Sequence, residues 1–184
     1  MFSPVGRNAV LVVGLGNPGL KFEPTRHNIG FRVVEALAGN VAWKESPKHT
    51  AIVAHGKILG VDTRFLEPQT FMNLSGKAVQ SYASYYKIPP ERIIVVHDDA
   101  DLPFGEVRGK LAGGTAGHNG LQSVVDMLGT PDFHRVRIGI GRDVNPEVPL
   151  DVFVLNPWTE PERAMLQDII GHAVHEIEEI IAKM

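Results

Sequence analysis

Continuous apolar runs alternate along the chain with segments in which apolar residues recur at helical spacing. The run Ala9–Gly14 (AVLVVG) is β-rich and has no polar face, which is typical of a strand buried on both sides. Arg92–His97 (RIIVVH) is a second strand of the same kind. Thr50–His55 and Ile58–Leu66 flank a Gly-Lys turn, and this pattern predicts a β-hairpin.

Two further strands are predicted in the second half of the chain, and both carry basic residues. Gly105–Leu111 is short and includes Lys110. His134–Ile140 (HRVRIGI) alternates polar with apolar residues, which predicts a half-exposed strand with Arg135 and Arg137 on the same face.

Helices are predicted where apolar residues recur every three or four positions. The first, Ile29–Leu37, is followed by Gly-Asn, a suitable C-cap. Leu74 to Tyr86 ends before two prolines, and Leu121–Leu128 follows a glycine-rich loop. Glu160–Ala182 is a long amphipathic helix.

Alternation of strands with helices, without repeats or a linker, predicts a single α/β domain over residues 1–184. Its sheet is expected to be mixed and twisted, with a parallel core, and flanked by helices. The carboxyl ends of parallel strands meet at one edge of a sheet. Because Asn17 and Asp98 each follow an apolar strand, we expect both at that edge.

Composition excludes some classes of protein. The 184 residues, 43% of them hydrophobic, are enough for a sizeable core. The absence of cysteine excludes disulfides and thiolate chemistry. No apolar run approaches the roughly 20 residues that cross a bilayer, and the start does not look like a signal peptide. We therefore expect a cytoplasmic protein without a membrane partner.

Charge is unevenly distributed along the chain. The formal net charge is −3, from 18 basic and 21 acidic residues. Nine of the acidic and two of the basic residues lie in 143–184, which leaves 16 basic and 12 acidic residues in 1–142, a formal +4. A basic face and an acidic segment can coexist in one domain, so the total charge leaves nucleic-acid binding open.

The turn after the first strand matches the dinucleotide-binding motif G-x-G-x-x-G through Gly14, Gly16 and Gly19. In that motif the turn opens a helix whose N-terminus holds the pyrophosphate. Here Pro18 and Pro24 bracket a segment without helical periodicity, and the helix begins about ten residues late. The context argues against a nucleotide site, and we expect no cofactor.

The same segment leads to His27, which suggests a catalytic loop instead. Histidine is suited to take a proton near neutral pH, and such a base needs a partner that fixes its tautomer. Asp98 is placed by the topology to be that partner. Taken alone, His27 also fits a structural role, Asn17 a turn-stabilising one, and the acidic segment 98–101 a solvated turn or a weak Mg²⁺ site.

Six motifs in a fixed order change this balance. They are GLGNPG at 14–19, TRHNxG at 25–30, FMNxSG at 71–76, HDDxDLP at 97–103, GHNGL at 117–121 and RVRIGIGR at 135–142. In this order they closely resemble the bacterial peptidyl-tRNA hydrolase family, from about Leu11 to the C-terminal helix.

The resemblance implies an esterase that cuts the bond between a peptide carboxyl and a ribose hydroxyl at the tRNA 3′ end. His27 is then the general base that activates water, and Asp98 holds it in the base-competent form. Asn17 helps to distinguish N-blocked substrates from free aminoacyl-tRNA. An ester is activated enough for water and one base, so no metal or nucleophilic side chain is required.

The resemblance also implies eight substrate-contacting side chains. They are Asn73 and Asn119 for the peptide main chain and ester end, Met72 and His118 for the shape of the cleft, Phe22 and Phe71 for the route of the tRNA acceptor end, and Lys110 and Arg137 for tRNA phosphate.

Phe22 departs from the family pattern, in which tyrosine is common, and so lacks a hydroxyl contact to the nucleic acid while keeping its stacking face. A rival hypothesis is a non-catalytic RNA-binding relative of the same fold. Intact residues at the catalytic positions argue against it. We expect a monomer that binds peptidyl-tRNA.

Overall fold

The computed structural model describes residues 8–142 and 147–184. Its strands form one seven-stranded sheet in the order β2-β3-β4-β1-β5-β7-β6. The strands are β1 (Val10–Gly14), β2 (Lys44–Ser46), β3 (Ala51–Ile58), β4 (Val61–Pro68), β5 (Ile93–Asp99), β6 (Val107–Leu111) and β7 (His134–Gly139).

The predicted fold class is confirmed. β1 pairs in parallel with β4 on one side and β5 on the other, and β5 pairs in parallel with β7. β2, β3 and β6 add antiparallel pairings at the two edges. The sheet is therefore mixed with a parallel core, and the carboxyl ends of β1, β4, β5 and β7 share one edge.

Helices cover both faces of this sheet. In the described ranges they are α1 (Ile29–Ala38), α2 (Ser75–Tyr86), α3 (Asn119–Leu128), α4 (Leu150–Leu155) and α5 (Glu160–Ala182). Val10 and Val12 of β1 pack in the core with α1, α4 and α5, while Leu11 and Val13 pack with α2 and α3. β1 is thus buried on both faces, as its continuous apolar run predicts. No helix in the described ranges has the length and hydropathy needed to cross a membrane.

The hairpin of β3 and β4 is confirmed, but its turn lies elsewhere than predicted. Ile58 pairs with Val61, so the two-residue turn is Leu59-Gly60 and not Gly56-Lys57. Both turn residues have positive φ, 49° and 81°. A two-residue hairpin turn of this kind matches the twist of the flanking strands. Gly56 lies within β3, opposite Thr63.

The strand predicted at His134–Ile140 is present as β7, but the prediction that Arg135 lies on an exposed face of it is wrong. β7 lies between β5 and β6, and Arg135 is only 1% exposed. Its guanidinium donates to the carbonyl oxygens of Gly114 at 2.6 Å and Pro131 at 3.3 Å. Arg135 therefore supports the loop that precedes α3, while Arg137 stays partly exposed.

Candidate active site

Close backbone contacts fix the start of α1 at the carboxyl end of β1. A Cβ atom on Gly14 would lie 2.4 Å from the carbonyl oxygen of Gly30, and one on Gly30 would lie 2.5 Å from Leu15 N. Only glycine allows this approach. His27 lies in a single 3₁₀ turn, Arg26–Asn28, directly before α1, and is thereby held at the sheet edge. Because α1 begins only at Ile29, the glycine turn that ends at Gly19 does not open a helix, unlike the turn of a dinucleotide-binding loop.

Asn17 and Asn28 hold the loop closed by reciprocal hydrogen bonds. Asn17 N donates to Asn28 Oδ1 at 2.9 Å, and Asn28 Nδ2 donates to Asn17 O at 2.9 Å. The side-chain Oδ1 of Asn17 accepts from the backbone N–H of Met72 at 2.8 Å. The oxygen of Asn17 is thus committed to structure, and its NH₂ group remains for a ligand. Sequence reasoning did not single out Asn28, although it lies beside His27 in the TRHNxG motif.

His27, Asp98 and His118 form a buried hydrogen-bonded cluster. His27 Nδ1 lies 2.9 Å from Asp98 Oδ1 and 3.0 Å from Oδ2. His118 Nε2 lies 2.8 Å from Asp98 Oδ1. Asp98 therefore accepts from two imidazoles. The sequence suggested the first contact, whereas for His118 it suggested only a part in shaping the cleft.

The tautomer of His118 follows from its second nitrogen. His118 Nδ1 accepts from the backbone N–H of Leu121 at 3.2 Å, so it carries no proton. The proton is then on Nε2, which donates to Asp98. The three groups lie close enough for metal ligation, with ligand atoms within 4.8 Å. A metal needs a free lone pair on Nε2, so this tautomer favours the hydrogen-bonded arrangement.

Electrostatics prepare His27 to accept a proton. Burial lowers the pKa of His27, but the charge of Asp98 and its hydrogen bond outweigh burial, so the pKa is raised above 6.5. Burial also acts against ionisation of Asp98, yet the two histidines hold the pKa of this carboxyl well below its usual range. Asp98 is thus a stable anion that favours the protonated form of His27.

His97 backs the cluster as a neutral group. Its Nδ1 donates to the carbonyl oxygen of Asp98 at 2.8 Å, and its ring contacts that of His118 edge-on at 5.0 Å between centroids. Burial, and then the nearby His118, lower the pKa of His97 to about 4. His97 therefore adds no charge to the cluster at neutral pH.

Arg26 secures the turn that carries His27. Its Nη1 donates to the carbonyl oxygens of Phe153 and Asn156, both at 3.3 Å, and its Nη2 pairs with Glu162 at 2.7 Å. Glu162 also forms the capping box of α5 with Thr159. The chain around His27 is therefore tied to α4 and α5. A buried structural arginine gives no local sequence signal, and we did not predict this role.

A cavity of about 300 Å³ opens in front of the cluster. His27, Asp98, His118 and Asn119 line it together with the loop before α3 and with Leu150 and Val154 of α4. Met72 is buried and packs beside Gly120, where an added Cβ would meet its sulfur. The structure thus brings several predicted site residues around one space.

Other predicted residues lie outside this cavity lining. Asn17 lines a separate cavity beside its loop. Asn73 is exposed, Phe22 is partly exposed, and Phe71 is 62% exposed, which is unusual for a large apolar side chain. Whether these residues contact substrate stays a prediction.

Lys110 and Arg137 line a third cavity of about 180 Å³, next to the histidines. Arg137 Nε donates to Asp99 Oδ2 at 2.7 Å. Arg135 and Asp99 complete the charged lining, and the neutral His97 also lines this space. Three basic side chains against one carboxylate leave this space with a positive excess, which suits a phosphate group.

The chain is similar to known proteins of one family. Residues 11–184 match the family model described as peptidyl-tRNA hydrolase. A curated peptidyl-tRNA hydrolase from Mycolicibacterium smegmatis is 46% identical over 176 residues, 95% of this chain and 92% of the relative. One from Bdellovibrio bacteriovorus is 43% identical over 174 residues, 93% and 92% of the two chains.

A solved structure is similar as well. The crystal structure of peptidyl-tRNA hydrolase from Acinetobacter baumannii is 40% identical, with a TM-score of 0.88. The match covers 96% of this chain and 90% of that one.

Proposed function

The chain belongs to the peptidyl-tRNA hydrolase family, and on this premise we propose that it hydrolyses the ester bond of peptidyl-tRNA with His27 as general base and Asp98 as its partner. The observation that carries the proposal is the pairing of His27 Nδ1 with a buried carboxylate at the wall of a cavity. Nδ1–H then donates to Asp98, and the lone pair of Nε2 is left to accept a proton from water.

The proposed reaction is one displacement at the ester carbonyl. Nε2 of His27 removes a proton from water as the water oxygen bonds to the carbonyl carbon, and Asp98 stabilises the imidazolium that forms. The C–O bond to the ribose then breaks, and the imidazolium returns its proton to the leaving ribose oxygen. The products are a peptide carboxylic acid and tRNA with a free hydroxyl.

We assign stabilisation of the developing oxyanion to side-chain amides. Asn17 is a candidate because Met72 N–H occupies its oxygen and so orients its NH₂ group. Asn73 is the second candidate, and Asn119 lines the cavity beside His118. One well-aimed donor of this kind contributes roughly 10²–10³-fold to rate.

We propose that basic and aromatic side chains bind the tRNA part of the substrate. Lys110 and Arg137 contact phosphate, a sequence-independent interaction that suits an enzyme serving many tRNAs. Phe71 is exposed and so available for base stacking, and Phe22 is partly exposed. A monomeric state, a cytoplasmic location and a reaction without metal or cofactor stay predictions from the sequence.

The deciding experiment measures release of N-acetyl-aminoacyl groups from tRNA. His27→Ala is expected to lower kcat/KM by roughly 10²–10⁴-fold, because it removes the base and leaves the fold intact. His172→Ala, which changes an exposed histidine of α5, serves as the matched control and should retain activity.

Undiminished activity of His27→Ala would overturn the role of the base. A wild-type protein that binds N-acetyl-aminoacyl-tRNA and releases nothing from it would favour the non-catalytic RNA-binding alternative.

A further inference from the structure

A second cavity, of about 680 Å³, lies beside the loop that carries Asn17. Residues of that loop, of α1 and of the ends of β3 and β4 enclose it. Its charged lining consists of three carboxyl groups and one guanidinium, from Glu23, Glu35, Glu67 and Arg32. The mechanism proposed above uses none of these four side chains.

Glu67 is the unusual member of this set. It is only 5% exposed, and its buried Oε1 has no hydrogen-bond partner in the described ranges. Burial, and then the charge of Glu35, raise the pKa of Glu67 to about 8. Buried polar atoms without partners are rare in native proteins, and each one needs a physical explanation.

The backbone keeps Glu67 in this position. It lies near the end of β4 and pairs with Ile52 of β3 in the hairpin. Strand pairing of this kind fixes the face on which a side chain lies, so Glu67 cannot turn toward solvent without loss of register. Arg32 lines the same cavity, but no ion pair joins it to Glu67 among the residues with described positions.

We propose that this cavity is a subsite for a cationic group of the peptide part of the substrate, an ammonium or guanidinium that pairs with Glu67. The proposal rests on the proposed function and names a feature of the substrates that the enzyme prefers. A cation supplies what the lining lacks, because it satisfies the buried carboxyl and offsets the excess of acidic groups.

The position of the cavity favours the peptide over the tRNA as the source of this group. Asn17 and Asn28 line the cavity, and Asn28 follows His27 directly in the chain. A peptide that extends from the ester toward Asn17 and Asn28 therefore meets the lining of this cavity, which includes Glu67. The phosphates of tRNA are repelled here and attracted by the basic cavity of Lys110 and Arg137.

Binding of a cation in the subsite is expected to release the proton of Glu67. With the cavity empty at pH 7, Glu67 holds a proton because its pKa is about 8. Pairing with a cation favours the carboxylate, so the proton passes to the solvent. Glu23, Glu35 and Arg32 are the charged groups that face this equilibrium from the loop and from α1.

The first test compares N-acetyl-peptidyl-tRNAs that differ only in lysine against methionine, with the variable residue placed second, third or fourth from the ester. At one of these positions we expect the wild type to favour lysine by roughly tenfold in kcat/KM, because a charge-assisted hydrogen bond is gained. Glu67→Gln should bring the ratio close to one. Glu91→Gln, the same substitution at an exposed site, should keep the wild-type ratio.

The second test needs no turnover. Isothermal titration calorimetry with the probe acetyl-Gly-Lys-Gly-amide is run in phosphate and in Tris, whose ionisation enthalpies differ. At pH 7 we expect proton release when the peptide binds, because Glu67 is protonated without a cation, and no release from Glu67→Gln. The methionine analogue of the probe is the control.

Hydrolysis without any lysine preference, or a preference that survives Glu67→Gln, would overturn the subsite and leave the proposed function intact. If neither substrate is hydrolysed, the function fails, and calorimetry alone decides the subsite. Binding of Mg²⁺ with the same proton release and no effect of lysine would overturn the peptide assignment in favour of a metal ion.

Discussion

Asp98 and Glu67 are two buried carboxyl groups on the strands that flank β1, and they have opposite electrostatic character. Asp98 is 2% exposed and Glu67 is 5% exposed. Burial alone acts on both pKa values in the same direction, upward. Asp98 accepts from two imidazoles, and its pKa lies well below the usual range. Glu67 has no such partner among the residues that the structure describes, and its pKa is raised to about 8.

Hydrogen-bond partners, and not the depth of burial, therefore decide which of these two carboxyl groups is charged. An anion that is already paired can stabilise an imidazolium during a reaction without reorganisation. A neutral carboxyl group without a partner can ionise and form an ion pair when a cationic ligand binds. The same chemical group therefore suits catalysis at one strand end and recognition at the other.

The largest expected effect comes from Asp98→Asn, which removes the negative charge and keeps the shape. We expect kcat/KM to fall by roughly 10²–10⁴-fold, because the imidazole loses the partner that fixes its tautomer. Without the carboxylate, burial dominates and the pKa of His27 falls. The acidic limb of the pH–rate profile should therefore move to lower pH.

A pH profile of kcat/KM on N-acetyl-aminoacyl-tRNA checks this, with the exposed change Asp132→Asn as control. An acidic limb that does not shift, or that shifts to higher pH, would show that Asp98 does not set the pKa of His27.

A smaller effect, of opposite sign on pH, is expected for His118→Phe. This change removes one of the two donors on Asp98, a loss of roughly 10–100-fold in kcat/KM for one hydrogen bond to a charged group. The carboxylate then acts more strongly on His27, so the pKa of His27 rises and the acidic limb moves to higher pH. A shift in the same direction as that of Asp98→Asn would contradict the network.

The smallest effect of the three is expected for the free energy of unfolding of Glu67→Gln. Between pH 4.5 and 8 the folded state keeps the proton on Glu67 while the unfolded chain releases it, so the wild type loses stability as pH rises. Glutamine does not ionise. The variant should therefore gain about 1–3 kcal/mol in the free energy of unfolding at pH 8, with little gain at pH 4.5.

Urea unfolding at the two pH values measures this difference, and Glu91→Gln is the matched control. A wild type that is as stable as Glu67→Gln at pH 8 would mean that Glu67 has a partner in solution and would end the contrast with Asp98.

The central strands were predictable from the sequence because burial on both faces leaves a clear apolar run. The hairpin turn was not, because Gly56 and Gly60 both suit a turn and only the pairing of Ile58 with Val61 selects one. Arg135 has the polar–apolar alternation of a surface position. Its partners, Gly114 and Pro131, lie elsewhere in the chain, so its burial could not be predicted locally.

For the site, one rule predicts that Asp98 lies at the sheet edge near His27: the carboxyl ends of parallel strands meet at one edge of a sheet. The second donor on Asp98 was beyond reach, because it depends on how Leu121 N–H fixes the tautomer of His118. The environment of Glu67 also needed the fold. Nothing in its neighbours along the chain indicates a buried carboxyl group without a partner.

The contact between Gly14 and Gly30 has a mechanical consequence for the turn that carries His27. The backbone of Gly14 meets the backbone of Gly30 there, and the side chain of Val34 packs beside this contact. Side chains can change rotamer and so act as a compliant layer, whereas main-chain atoms in paired elements are stiff. The position of His27 is therefore fixed by the sheet itself. Changes in the apolar packing elsewhere around α1 should move His27 little.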